Sequence, residues 1–176
     1  MSNKLPTREQ AIALLRENHC SPNVISHAEA VAELALDIAD KLAKNDLKIN
    51  RDLVEVGALL HDLGRSKTHG VDHGVVGAKL AESAGLPEPV VRIIKSHVGG
   101  GITAQEAEAF GWPKDIYMPL TIEEKIVSYA DKLIDKSKRV PIDVEIRKLQ
   151  LDNKTEAAER VRKLHEEIIT LMDKPK

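Results

Sequence analysis

Residues 54–65 read VEVGALLHDLGR, an apolar run that ends in His61-Asp62 and is closed by Gly64. A helix opening near Asn50 places Leu53, Val56, Gly57 and Leu60 on one face, so His61, four residues after Gly57, faces the interior. Asp62 lies on the adjacent flank. A neutral imidazole beside a carboxylate at the end of a buried helix can hold one cation from two sides. Taken alone, the pair reads better as a helix C-terminus with His61 against the negative dipole end and Asp62 in solvent. The partners supplied by the rest of the chain decide between the two. Gly64 is expected to supply the left-handed residue that ends the helix. Arg65, Lys67 and His69 then occupy a loop placed to touch an anion.

On the N-terminal side, Thr7 with Gln10 forms a capping box for a short helix through Ile12 and Leu15. Ser21 caps a second helix with Pro22 at its first position. Val24, Ala28, Val31, Ala35, Ile38 and Leu42 recur there at helical spacing, and His27 lies beside this stripe, pointing inward.

On the C-terminal side, Asp72 is expected to cap a helix from His73 towards Gly85, and Pro87 and Pro89 introduce another. Val90, Ile93 and Ile94 mark the buried face of that helix, and His97 continues it. Gly99, Gly100 and Gly101 read as a flexible turn, with approach of backbone amides to a phosphate as the alternative. Thr103 with Glu106 caps a short helix ending at Gly111, and residues 112–119 form a loop. Thr121 with Glu124 caps a helix in which Asp131 sits among Ile126, Val127, Ala130, Leu133 and Ile134. A buried Asp needs a partner. Pro141 is expected to break that helix, and Val161, Leu164, Ile168 and Leu171 mark a last amphipathic one. His165, among charged neighbours, reads as partly exposed and not a ligand. No strand alternation is present, so the fold class is all-α.

The 176 residues are 42% hydrophobic but only 2% aromatic, which implies one domain, 1–176, with an aliphatic core. Its motif-bearing part runs over about 22–139, and 140–176 forms a helical extension. A net charge of -2 without a long basic block argues against a stable nucleic-acid partner. There is no signal core and no run long enough to cross a membrane, so a cytoplasmic protein is expected. The lone Cys20 cannot form an internal disulfide. Apolar positions on the last helix would serve a homodimer or packing onto the domain itself.

His27, His61, Asp62, His73, His97 and Asp131 thus fall on inward faces or ends of helices. Such a set in an aliphatic core carries a heavy desolvation cost unless a cation neutralises it. Metal binding is the economical explanation. With His27, GALLHDLG around His61-Asp62 and EKIVSYADKLID around Asp131, the chain resembles the HD-domain metal-dependent phosphohydrolases. HGVVGA from His73 and IIKSH up to His97 resemble the dinuclear branch that contains symmetric diadenosine tetraphosphate hydrolases. Uncharacterised archaeal HD proteins are more similar still.

The resemblance implies that His27, His61, Asp62 and Asp131 bind a first ion, and that Asp62 bridges to a second held by His73 and His97. Two cations about 3.5–4 Å apart can share a deprotonated water and stabilise charge developing on a phosphoryl group, so Asp62 has a direct catalytic part. One or two divalent ions are expected, with Fe, Mn, Co, Ni or Zn all suited to these donors. Arg65 and Lys132 are candidates for contact with substrate phosphate, each weighed against an ordinary surface cation, and His69 is open between the same two readings. Residues 99–119 are longer than in the tetraphosphate hydrolases, and LIDKSKR departs from their acidic-Pro-Arg ending, so substrate identity does not carry across. The insert is expected near the metal mouth, where Trp112 or Tyr117 could stack on a base.

The resulting expectation is a phosphohydrolase acting on an ester or anhydride of a small phosphorylated compound, with a nucleotide as the leading class. The alternatives are a mononuclear nucleotidase, a di-iron oxygenase and a non-catalytic nucleotide-sensing module.

Overall fold

The computed structural model describes residues 4–173. Its helices are α1 (Arg8–Glu17), α2 (Pro22–Ala43), α3 (Arg51–Leu60), α4 (His73–Ser83), α5 (Glu88–Ser96), α6 (Ala104–Ala109), α7 (Ile122–Lys132), α8 (Ile142–Leu151) and α9 (Thr155–Met172). One hairpin, β1 (Ile134–Asp135) against antiparallel β2 (Lys138–Arg139), interrupts an otherwise helical chain. No helix among the described residues is long and apolar enough to cross a membrane.

Helix α3 is the centre of the bundle, in contact with α1, α2, α5 and α7. That explains its composition: Arg51, Asp52 and Glu55 keep polar groups on its first turns, while Val56, Gly57, Ala58, Leu59 and Leu60 make its C-terminal part buried on all sides. Local signals fix its neighbours. Thr7 and Gln10 form the expected reciprocal capping box on α1. Ser21 Oγ accepts from the Val24 amide, with Pro22 at the first position of α2. Helices α8 and α9 pack on each other, and α9 also meets α7. Their buried faces, Ile142, Ile146 and Leu149 with Val161, Leu164 and Ile168, belong to the same aliphatic core as α3.

Several local expectations are corrected. Gly64 does not adopt a left-handed conformation. It lies in a 3-10 turn, Leu63–Ser66, and its requirement is space: a Cβ there would stand 1.9 Å from the His73 carbonyl oxygen and 2.7 Å from the Gly77 amide nitrogen. The turn therefore packs backbone to backbone against α4. Asp72 precedes α4 but makes no side-chain cap; its carboxylate accepts from Thr68 Oγ1 at 3.0 Å. Helix α7 ends at Lys132, well before Pro141, because Leu133 leaves the helix and the hairpin follows, with Lys136 at φ +57°. Thr121 caps α7, yet Glu124 does not complete the box, since its carboxylate takes the Arg92 guanidinium at 2.9 and 3.1 Å.

The triple glycine is a fixed turn. Gly99, Gly100 and Gly101 have φ of +59°, +70° and +105°, and a Cβ on Gly100 would meet Val161 at 3.3 Å. Close packing against α9, with positive φ, accounts for glycine there.

Candidate metal centre

The ends of four helices converge. His61 follows α3, His97 follows α5, His73 opens α4 and Asp131 is the penultimate residue of α7, while His27 projects from the second turn of α2. Sequence therefore puts each side chain at an element end or on an inward stripe, and the bundle brings these ends together. His61, His73, His97 and Asp62 are buried, with His27 and Asp131 at the rim.

The histidine tautomers follow from their partners. His61 Nδ1 lies 2.6 Å from the Ala58 carbonyl, His73 Nδ1 2.7 Å from that of Gly70, His97 Nδ1 2.8 Å from that of Ile94, and His27 Nδ1 2.6 Å from that of Lys136. A carbonyl oxygen only accepts, so each Nδ1 carries a hydrogen and, in the neutral ring, each Nε2 presents a lone pair. Those four Nε2 atoms point at one another and at two carboxylates. His73 Nε2 and His97 Nε2 are 3.0 Å apart. His27 Nε2 is 3.0 Å and His61 Nε2 3.4 Å from Asp131 Oδ1.

Asp62 sits between the two histidine pairs. Its Oδ1 is 3.3 Å from His73 Nε2 and 3.6 Å from His97 Nε2, and its Oδ2 is 3.7 Å from His61 Nε2 and 3.9 Å from His27 Nε2. One oxygen thus faces each pair, the disposition of a bridging carboxylate. Burial opposes charge on Asp62, yet His61, His73 and His97 hold its carboxyl well below the usual range. Asp131 is likewise driven far down by Lys132, His27 and His61 against the effect of burial. Burial also works against a charged His61, but Asp62 and Asp131 overcome it and raise its pKa to about 9. His97 goes the other way, to about 4, because burial, assisted by His61 and His73, outweighs its bond to Asp62. Opposite shifts of this kind among convergent imidazoles and carboxylates mark the cluster as a candidate functional site.

The residues fit a cation. His61 Nε2 is buried without a hydrogen-bond partner, an orphaned donor atom aimed into the cluster. His27, His61 and Asp131 form one group, and His61, Asp62 and His97 another, with ligand atoms within 4.8 Å of one another in each. Imidazole nitrogen with carboxylate oxygen suits divalent transition metals.

The two cations assigned from sequence are both here, with prior commitments. Arg65 donates through Nε to Asp62 Oδ1 at 3.3 Å and through Nη1 to the His69 carbonyl at 2.8 Å. Lys132 is buried, with Nζ 2.5 Å from Asp131 Oδ2. Both line a cavity of about 1190 Å³ whose floor includes His27, Asp62, His73 and Asp131, and His69 is at its edge.

The aromatic expectation needs revision. Tyr117 is 3% exposed, packed with Val75, Ile102 and Ala107, and its hydroxyl donates to the Pro113 carbonyl. Trp112 packs on that same group. It is Phe110 that lines the cavity. Sequence missed Phe110 and the α8–α9 wall because neither carries a motif.

The HD-domain family model matches residues 24–134. The chain belongs to the HD-domain family. An uncharacterized protein of Methanocaldococcus jannaschii is 42% identical over 166 residues, covering 93% of this chain and 98% of that one. The tRNA (cytidine(56)-2'-O)-methyltransferase of Picrophilus torridus is 36% identical over 95% of this chain, which spans only 48% of that relative. Among solved structures, the HD domain of the L. monocytogenes phosphodiesterase PgpH in complex with cyclic-di-AMP shares the fold. Its TM-score is 0.57 at 21% identity, covering 90% of this chain and 95% of that one.

Proposed function

We propose that this HD-domain chain is a metal-dependent phosphohydrolase cleaving a phosphoester or phosphoanhydride bond of a nucleotide. The observation that carries the reading is the set of four Nδ1–H···O=C bonds, which leaves four Nε2 lone pairs and the carboxylates of Asp62 and Asp131 facing one centre. His27, His61, Asp62 and Asp131 would hold a first divalent ion, and Asp62, His73 and His97 a second. Bound there, such ions supply a water of lowered pKa and charge to offset that developing on a phosphoryl group.

The protein's own part is orientation and charge. The carbonyls of Ala58, Gly70, Ile94 and Lys136 fix the imidazole rings, and Lys132 holds Asp131. Arg65, facing the cavity beside Asp62, orients a substrate phosphate with the donors its two intramolecular bonds leave over. A nucleotide is the first class to test because a protein of this fold binds cyclic-di-AMP. Short oligoribonucleotides belong in the same screen, since one relative is a tRNA methyltransferase.

The test is metal content per chain by elemental analysis after Mn²⁺ titration, in the wild type and in His73→Ala. Two ions falling to one, with phosphate release lost, is the expected result. One ion untouched by the substitution would move the assignment to a mononuclear nucleotidase. No ion under any condition, with tight nucleotide binding, would replace the enzyme with a sensor.

A further inference from the structure

The cavity over the metal centre has a second wall, built from α8 and the start of α9. Val144, Lys148 and Leu149 of α8 line it, followed by Asn153 and Thr155 at the turn into α9. Six large hydrophobic side chains are exposed among the described residues, and three of them, Val71 (38%), Phe110 (48%) and Val144 (47%), line this cavity. Scattered exposed apolar residues need no explanation, but half of them gathered round one cleft mark a place that takes an apolar group.

Phe110 is held as a platform. Its ring is 5.0 Å from Trp112, which is 5.2 Å from the buried Tyr117, so the aromatic is braced from behind while its side chain stays half exposed. The opposing wall is equally fixed. Arg160 of α9 donates to the Gly101 carbonyl at 3.1 Å and to Glu106 at 2.9 Å, and Tyr129 of α7 meets His165 of α9 at 2.7 Å.

We infer that the cleft between Phe110 and this α8–α9 wall is a nucleobase subsite, with Phe110 as the residue on which the base stacks; the inference rests on the phosphohydrolase reading of the metal centre. The lining chooses the occupant. An acyl chain requires an unbroken apolar surface, whereas here Val71, Phe110 and Val144 are interleaved with Glu106, Asn153 and Thr155. A flat ring with an apolar face and a hydrogen-bonding edge matches that mixture, and a ring stacked on an aromatic gains affinity whichever base it is. The floor of the same cavity, carrying Arg65 and the metal centre, is the place for the phosphate.

The experiment compares the four ribonucleoside 5′-monophosphates with ribose 5-phosphate, which has the same phosphate and sugar but no base. Binding to the full chain is measured by calorimetry and turnover with Mn²⁺ by phosphate release, in the wild type, Phe110→Ala and Phe110→Trp. The wild type is expected to bind at least one nucleotide about tenfold or more tightly than ribose 5-phosphate. Phe110→Ala is expected to collapse that ratio without changing ribose 5-phosphate binding, and Phe110→Trp to restore it. Equal affinity for all probes in the wild type, no measurable nucleotide binding, or a ratio untouched by Phe110→Ala would each overturn the subsite. The two readings fail separately: nucleotide preference keeps the subsite whether or not monophosphates turn over, with the hydrolase judged by the metal content of His73→Ala, while turnover with one KM for every probe keeps the hydrolase and removes the subsite.

Discussion

The side chains of Arg65 and Lys132 carry like charges into one site and do different work. Arg65 is partly exposed, and its bonds run to one Asp62 oxygen and one carbonyl, so its guanidinium has donors to spare. Arg65→Ala is expected to raise KM about tenfold, the worth of one charge-assisted hydrogen bond, with metal per chain unchanged. Kinetics identical to wild type would end that role. Lys132 is buried against Asp131, and its ammonium stays charged because Asp131 outweighs the effect of burial. Lys132→Met removes the lysine from a buried pair and should cost the metal-free protein about 3 kcal/mol. Mn²⁺ should recover part of that loss, since the ion replaces lysine as the counter-charge to Asp131. Calorimetric melting with and without Mn²⁺ checks this, and equal melting of the metal-free variant and wild type would refute it.

At the scale of elements, the turn after α3 sets the second half of the site. The Gly64 α-carbon lies against backbone of α4, where His73 is the first residue, so Gly64→Ala forces Cβ onto two backbone atoms that cannot rotate away. Overpacking of this kind costs roughly 1–3 kcal/mol in a core and more where backbone must move. The expected outcome is a lower melting temperature together with loss of the ion bound through His73, read by elemental analysis. Retention of two ions and wild-type stability would show that the turn yields. What could be read in advance divides along the same physical line. Helix ends were legible at Thr7, Ser21, Asn50 and Thr103, because a cap is a local bond between near neighbours in the chain. The inward faces of His27, His61 and His97 were legible from period alone. The close approach at Gly64, the diversion of Glu124 to Arg92, the hairpin carbonyl on His27 and the burial of Tyr117 all depend on residues distant in sequence. Nothing local distinguishes them.

Across the whole molecule, α8 and α9 share the aliphatic core with the preceding helices, and polar contacts add to that packing, among them Arg160 with Glu106. The pair links α9 to α6, and the same Glu106 carboxylate accepts the Thr103 amide at 2.8 Å. Burial pushes the Glu106 carboxyl up, but the Thr103 amide and Arg160 together take it below its ordinary 4.5. A carboxyl whose pKa is lower folded than unfolded favours folding above the unfolded value and loses that contribution as pH falls through the folded one. Glu106→Gln isolates the effect, because glutamine can still accept the Thr103 amide while the charge facing Arg160 is gone. At pH 7 the variant should be less stable than wild type by about 1–2 kcal/mol, a shift of a few degrees in melting temperature. Titrated downward, the difference should hold to about pH 4.5 and then close, since the wild type becomes protonated and the variant does not. Paired thermal melts between pH 3 and pH 7 measure it. A difference independent of pH would mean that shape, not charge, joins α6 to α9, and the wall proposed to receive the base would then be fixed by packing alone.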